Sequence, residues 1–370
     1  MNRKKIMLLI VFLFSACGCA DPNLEQPVIE DLGMIGVMGF DYVDEEKVKI
    51  SVSLPQPSKD AEEQVQHFTS TVKLPHEALM DISTLTEKTL TPAQLRVLLF
   101  SEEFARKRGL MKIIENLYRD PLVGSNIFVA VAKGNAEEIL TGTYKDKPEI
   151  NIYLTELLTP RTMTAFSPFT TIHDFIHENT DEVADPSAPY LEGMDGSVKI
   201  TKVALFEDDK MIDTIEPEEA KLVEAMKGTK DLPPVSFLIP SADGNGDETF
   251  VMKFTTTRVD FDVNGDLNNP EIFVYLYARG KVVDYDGTRY ISQPENRKEV
   301  EEEASTFLEN KIMAALTQFQ EQGIDPIAIG EHFRIKNARG WSKDRWIEAF
   351  KNADVTTHVE IRIVSTGTIK

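Results

Sequence analysis

Cysteine is almost absent from this chain: of 370 residues only Cys17 and Cys19 carry a thiol. Both lie within the first nineteen positions, so the body that follows has no disulfide framework, thiol nucleophile or cysteine-ligated zinc. Long apolar runs are absent too. The longest near the start, Ile6 to Phe14, is nine residues, against the roughly 20 that cross a bilayer. Positive charge is in short supply: 40 Lys and Arg face 61 Asp and Glu, for a net charge of −21. An acidic surface is repelled by nucleic acid and by anionic head groups. Nucleic acid is therefore excluded as a partner, and membrane attachment is not expected from a basic patch. Catalytic signatures are lacking as well. There is no GxSxG and no HExxH, and no Ser-His-Asp set can be assembled. Carboxylates are so abundant that pairs arise by chance, so no catalytic dyad is assigned.

What is present begins with the leader. Arg3, Lys4 and Lys5 precede the apolar run, and Ser15 and Ala16 supply the small residues that a signal peptidase requires. A cysteine follows at once. Small residues before a cysteine resemble a bacterial lipobox, in which the thiol is acylated and becomes the mature N-terminus. Cys17 fits best, although Phe14 stands where Leu is usual; Cys19, preceded by Gly18, is the alternative. An ordinary signal peptide cut near Ala20 is the remaining option. Loss of the leader's three cations takes the net charge from −21 to −24.

The length suggests two or three domains. We expect a signal peptide over 1–16, a lipidated tether over 17–27, an N-terminal region over 28–190 (two subdomains being possible within it) and a C-terminal domain over 194–370. Val48 to Leu54 alternates as a strand and pairs with the glycine-spaced run Ile29 to Asp41 as a hairpin. Gly33, Gly36 and Gly39 do not match GxGxxG, which argues against a phosphate loop. Glu77 to Lys88 has helical spacing with Leu79, Ile82 and Leu85 on one face. Leu95 to Phe100 and Ile127 to Ala132 read as buried strands, and Ser101 caps a helix that opens with Glu102 and Glu103. Asp181 to Tyr190, with two prolines, reads as a linker. Val198 to Phe206 and Met211 to Ile215 form a hairpin, and further strands follow. Glu299 to Gln322 is the strongest helix signal, with Glu301, Glu302 and Glu303 in its first turn. Val355 to Ile363 is a closing strand. Strands alternating with helices imply an α+β, multi-domain protein of mixed β-sheets each flanked by α-helices.

Three patterns invite a functional reading. His173 and His177, four apart, would share a helix face as zinc ligands do, and they are the weak metal candidates. Asp243-Gly244-Asn245-Gly246-Asp247 and Asp262-Val263-Asn264-Gly265-Asp266 resemble the start of a calcium loop. They lack glycine at the sixth place and glutamate at the twelfth, so tight hairpin turns are the better reading. Trp341 and Trp346 could anchor a partner, with core packing the simpler role. No cofactor is expected.

The chain resembles the Ger(x)C family, the C-subunit lipoproteins of bacterial spore germinant receptors. Four blocks carry the likeness. The first is a lipobox cysteine ahead of Ile29-Glu30-Asp31-Leu32-Gly33 and Gly39-Phe40-Asp41. The second is Phe100-Ser101-Glu102-Glu103-Phe104-Ala105-Arg106 with Arg119-Asp120-Pro121 and Val131-Ala132-Lys133-Gly134. The third is Val203 to Lys210, and the fourth Gly330-Glu331 with Trp341 and a strand ending near Thr366-Gly367. Cys19-Ala20-Asp21 stands where the family usually has Cys-Trp-Asp. The resemblance implies a non-catalytic, lipid-anchored subunit on the outer face of the spore inner membrane. It further implies assembly with two integral membrane subunits, A and B, in a nutrient-sensing complex required for germination. A solute-binding lipoprotein of a transporter is the alternative, and a metal-dependent hydrolase a third, motivated only by the two histidines.

Overall fold

The computed structural model describes residues 28–56, 65–230, 232–241, 246–336 and 339–366. In chain order its elements are β1 (Leu32–Met34), β2 (Val37–Tyr42), β3 (Val48–Pro55), β4 (Val65–Val72), α1 (Pro75–Ile82), β5 (Thr89–Thr91), β6 (Val97–Ser101), α2 (Glu102–Lys107) and α3 (Met111–Tyr118). Then come β7 (Phe128–Ala132), α4 (Ala136–Leu140), α5 (Ile150–Leu158), α6 (Ile172–Thr180), β8 (Ser187–Met194), β9 (Ser197–Glu207), β10 (Lys210–Ile215) and α7 (Pro217–Met226). The last are β11 (Val235–Pro240), β12 (Asp247–Asn264), β13 (Glu271–Tyr285), α8 (Pro294–Gln322), α9 (Gly330–Lys336), α10 (Lys343–Lys351) and β14 (Asp354–Ser365).

Eight strands form one sheet in the order β10-β9-β8-β7-β6-β2-β3-β4. Its centre, β2, β6, β7 and β8, is parallel, and antiparallel strands flank it on both sides. The unbroken apolar runs of β6 and β7 are buried along their whole length, as strands covered on both faces must be. Phe40, Leu98, Phe100, Val129 and Val131 point to one core, and Val37, Val97, Leu99 and Ala130 to the other. This second core continues through β9, α7 and β11 to β13 into the face of α8.

Asp181 to Tyr190 is not a linker. Its second half opens β8, an interior strand, and the large sheet therefore runs across residues 190–194. Two prolines suggested a break, but the ladder to β7 begins only at Tyr190. Pro189 lies outside that ladder, so its missing N–H costs no bond to β7. The helix expected over Glu77 to Lys88 also stops early, at Ile82. The Ser83 and Thr84 hydroxyls donate back to the carbonyls of Leu79 and Asp81, a local alternative to helix. Leu85 is consequently exposed.

The second sheet has the order β11-β12-β13-β14, with β14 parallel to β13. Helix α8 packs on its inner face through Val300, Ala304, Leu308, Ile312, Leu316 and Phe319. It also covers the free edge of β14. The Val359, Ile361 and Ile363 amides donate to Glu309 Oε1 (2.8 Å), Ser305 Oγ (3.1 Å) and Glu301 Oε1 (2.7 Å). Four helical residues advance about 6.0 Å and two strand residues about 6.6 Å, so a side chain every fourth helical residue meets every second amide. Because α8 starts at Pro294 and not near Glu299, Glu301 lies beyond the first turn. It is 8% exposed and caps a strand edge, not the helix dipole.

Candidate functional site

The motif blocks are far apart in sequence, and the fold brings them together at joints. Asp41, at the end of β2, is buried and accepts from the Ala136 and Glu137 amides at 2.6 and 3.0 Å. It thus caps α4 from a neighbouring strand. Burial pushes its carboxyl above the ordinary range, and the two amides pull the other way. Ser101 ends β6 and caps α2, its hydroxyl accepting from the Phe104 amide (3.3 Å) and also from Tyr42 (3.4 Å). Glu102 accepts from the Tyr190 hydroxyl on β8 and pairs with Arg106 at 2.8 Å. Arg106 then donates to the Ile212 carbonyl on β10 at 2.6 Å. Asp209, in the β9–β10 turn, accepts from the Met111 amide at 3.1 Å, and its carbonyl accepts from Leu110 at 3.0 Å.

The fourth block is built on a pair of buried aspartates. Asp185 and Asp325, each 1% exposed, clasp one another. The Asp325 amide donates to Asp185 Oδ2 at 2.7 Å, and the Asp185 amide donates to the Asp325 carbonyl at 3.2 Å. Asp325 accepts from Ile329 (3.0 Å), Gly330 (2.8 Å) and the indole N–H of Trp346 (2.9 Å). A Cβ at Gly330 would lie 2.5 Å from the Trp346 indole nitrogen, so only glycine fits there. Burial pushes the Asp325 carboxyl up to about 6, and the three donors oppose it. Lys343, at 2.7 Å from Asp185 and 3.4 Å from Asp208, supplies the counter-charge. Burial lowers the affinity of that amine for its proton, but the charges and hydrogen bonds of Asp185 and Asp208 together outweigh it and the net shift is upward. This centre ties the segment before β8, the β9–β10 turn, the loop after α8 and α10 into one unit.

Two clefts open beside these joints. One, of about 650 Å³, lies past the C-terminal ends of β7 and β8 and includes Lys133, Asn135, Glu138, Tyr144, Glu192 and Asp195. Its one cation, Lys133, is engaged by Glu192 at 2.6 Å. The other, of about 520 Å³, lies at the opposite end of the parallel strands between Leu32, Met34, Arg96, Glu149 and Ile152. Its floor is a chain from Ser53 through Asn151 to Glu149, and burial raises the Glu149 carboxyl. Neither cleft places a nucleophile against a base.

His173 and His177 do share one exposed face of α6, with ring centroids 6.5 Å apart. Among the described residues no group of three His, Cys, Asp or Glu converges there or elsewhere. Asp262 and Asn264 end β12, and Asp266 forms the turn into β13 by accepting from the Asn268 and Asn269 amides at 2.8 and 3.3 Å. Asp243, Gly244 and Asn245 lie outside the described residues, as do Cys17 and Cys19. Trp346 is fully buried and stacks on Trp341 at 6.0 Å, the core role. Sequence reading missed Asp185, Asp325 and Lys343. The one signal was that both aspartates precede proline, at Pro186 and Pro326.

Residues 25–193 match the family model described as spore germination protein N-terminal domain, and residues 201–367 the model described as spore germination B3/GerAC like, C-terminal. The chain is 22% identical over 365 residues to the spore germination protein GerQC of Bacillus cereus, covering 99% of each. Its fold is similar to that in the crystal structure of the GerBC protein, with a TM-score of 0.58 and 17% identity over 88% of this chain and 96% of that one.

Proposed function

The chain belongs to the spore germination family whose N-terminal and GerAC-like C-terminal models match it one after the other, and from that membership we propose that it is the lipid-anchored C subunit of a germinant receptor. The observation that carries this reading is the extent of the match: the two models account for nearly all of the chain from residue 25 onward. The blocks that resemble the family are occupied in joints between elements, which favours a subunit that works by presenting a rigid surface over one that works by catalysis. Its partners in this reading are two integral membrane subunits, A and B, and its place is the outer face of the spore inner membrane. Attachment falls to an acylated Cys17, with Cys19 as the alternative. Among the described residues no helix is long and apolar enough to cross a membrane, and a thioether-linked diacyl chain with an amide-linked third would anchor firmly.

Deletion of this chain from a spore former that carries the cognate membrane subunits tests the reading. Germination by at least one nutrient should fail and return on complementation; unchanged responses to every nutrient would refute it. Acyl incorporation should be lost with Cys17→Ala, and loss only with Cys19→Ala would move the anchor by two residues.

A further inference from the structure

The outer face of the four-stranded sheet carries no covering helix among the described residues. On β13 the inward positions are buried, while Tyr275, Arg279, Lys281 and Val283 alternate with them and are exposed. β14 repeats the pattern with Glu360, Arg362 and Val364 outward. On β12 the bulge between Phe254 and Thr256 shifts the alternation by one residue. Lys253 before it and Arg258 after it therefore share the outer face despite their odd and even numbers.

Register then gathers charges that the sequence scatters. Lys253 stands opposite Lys281, Arg258 opposite Tyr277, and Arg279 opposite Arg362. Five cations occupy three adjoining rows in which Glu360 is the one acid. Arg258 pairs with Asp260, and Arg362 with Glu301 and Glu360. Among the described residues Lys253 and Lys281 make no ion pair. At this end of the face Val283 and Val364 are 53% and 46% exposed, and Tyr277 lies between the cations.

We propose that this sheet face lies against the anionic head groups of a phospholipid bilayer. Basic side chains mixed with a tyrosine and exposed aliphatic groups on an uncovered sheet face match the membrane interface, where cations meet phosphate and apolar groups enter the acyl boundary. The net charge of −21 does not oppose this at physiological salt. The Debye length there is about 8 Å, so the membrane senses this face, where Lys253 and Lys281 make no ion pair among the described residues while Asp260 and Glu360 offset part of the charge of Arg258 and Arg362, and little of the acidic body behind it. The contact needs no acyl chain and stands apart from the anchor proposed above.

The test uses the processed chain, residue 17 onward, with Cys17→Ser and Cys19→Ser so that it carries no lipid. Sedimentation at 0.15 M salt with phosphatidylglycerol vesicles should show binding that phosphatidylcholine vesicles do not support. Each cation near an anionic surface contributes about 1 kcal/mol, about fivefold in affinity. Lys253→Gln with Lys281→Gln should therefore weaken binding by about 25-fold. Lys112→Gln with Lys145→Gln, which removes two exposed cations elsewhere, should leave it unchanged. Equal weakening by both pairs, or equal binding to both lipids, would overturn the proposal. Failure of the parent to bind phosphatidylglycerol would overturn it in favour of an acidic protein segment as the anion.

Discussion

Asp325→Asn isolates the physics of the buried aspartate centre. The Asp325 carboxyl is pushed from the ordinary 3.8 up to about 6 in the folded chain. Because the folded value is the higher, the folded state holds the proton more tightly than the unfolded one. The stability contributed by this group is fully present below pH about 4 and is lost as pH rises through about 6. At 1.36 kcal/mol per unit the loss is about 3 kcal/mol. Asparagine has no such proton linkage. It carries instead a constant penalty of about 1–3 kcal/mol, because its amide N–H₂ faces an N–H donor where a carboxylate oxygen accepted. The difference in stability between parent and variant should thus move by about 3 kcal/mol in the variant's favour between pH 4 and pH 7. Removing the charge beside Asp185 acts in the same direction. Urea unfolding followed by tryptophan fluorescence is the assay, since Trp341 and Trp346 are the only tryptophans and Trp346 donates directly to Asp325. Parallel stability curves across that range would refute the argument. They would mean that the three donors offset burial in full and that the group titrates at its ordinary value.

Three further outcomes can be measured. Gly109 and Gly134 both have positive φ, 72° and 76°. A Cβ at Gly109 would lie 2.3 Å from an Asp209 oxygen, whereas at Gly134 it meets nothing within 4 Å. Gly134→Ala should cost about 1–2 kcal/mol and Gly109→Ala clearly more in urea titrations; equal costs would contradict the clash. Ser305→Val should leave the Ile361 amide without its acceptor and cost about 1–3 kcal/mol. Ser305→Thr, which keeps the hydroxyl, should cost little, and a large loss with Thr would count against edge covering by α8. Asp41→Ala should remove the cap of α4, lower stability by about 1 kcal/mol and speed hydrogen exchange at the Ala136 and Glu137 amides. Unchanged exchange there would show that Asp41 is not the cap.

Much of the fold was legible because burial leaves a periodic record. The continuous apolar runs before Ser101 and Lys133, the hairpin over Val198 to Ile215 and the heavy stripe of α8 were each visible from spacing alone. Reading failed where long-range contacts decide. Pro186 and Pro189 look like breakers, yet β8 pairs with β9 from Ser187 onward and its ladder to β7 begins just beyond them, at Tyr190. Glu301 looks like a dipole acid because it follows a helix signal, but the edge it caps, Ile363, is 62 residues away. The four blocks pointed to the family, and the joints that Asp41, Ser101, Glu102 and Asp209 form within them were not readable.

By itself the sequence determined that the two cysteines stand at positions 17 and 19 and that no thiol follows them, the α+β alternation and the family. These are local or additive properties that survive without knowing what touches what. Only the tertiary structure decided that Asp185 and Asp325 meet, that α8 closes the edge of β14, and that Lys253, Arg258, Arg279, Lys281 and Arg362 share one face. The net charge argued against any basic surface. Strand register and a single bulge made one, because electrostatic contact depends on distance in space and screening removes the rest.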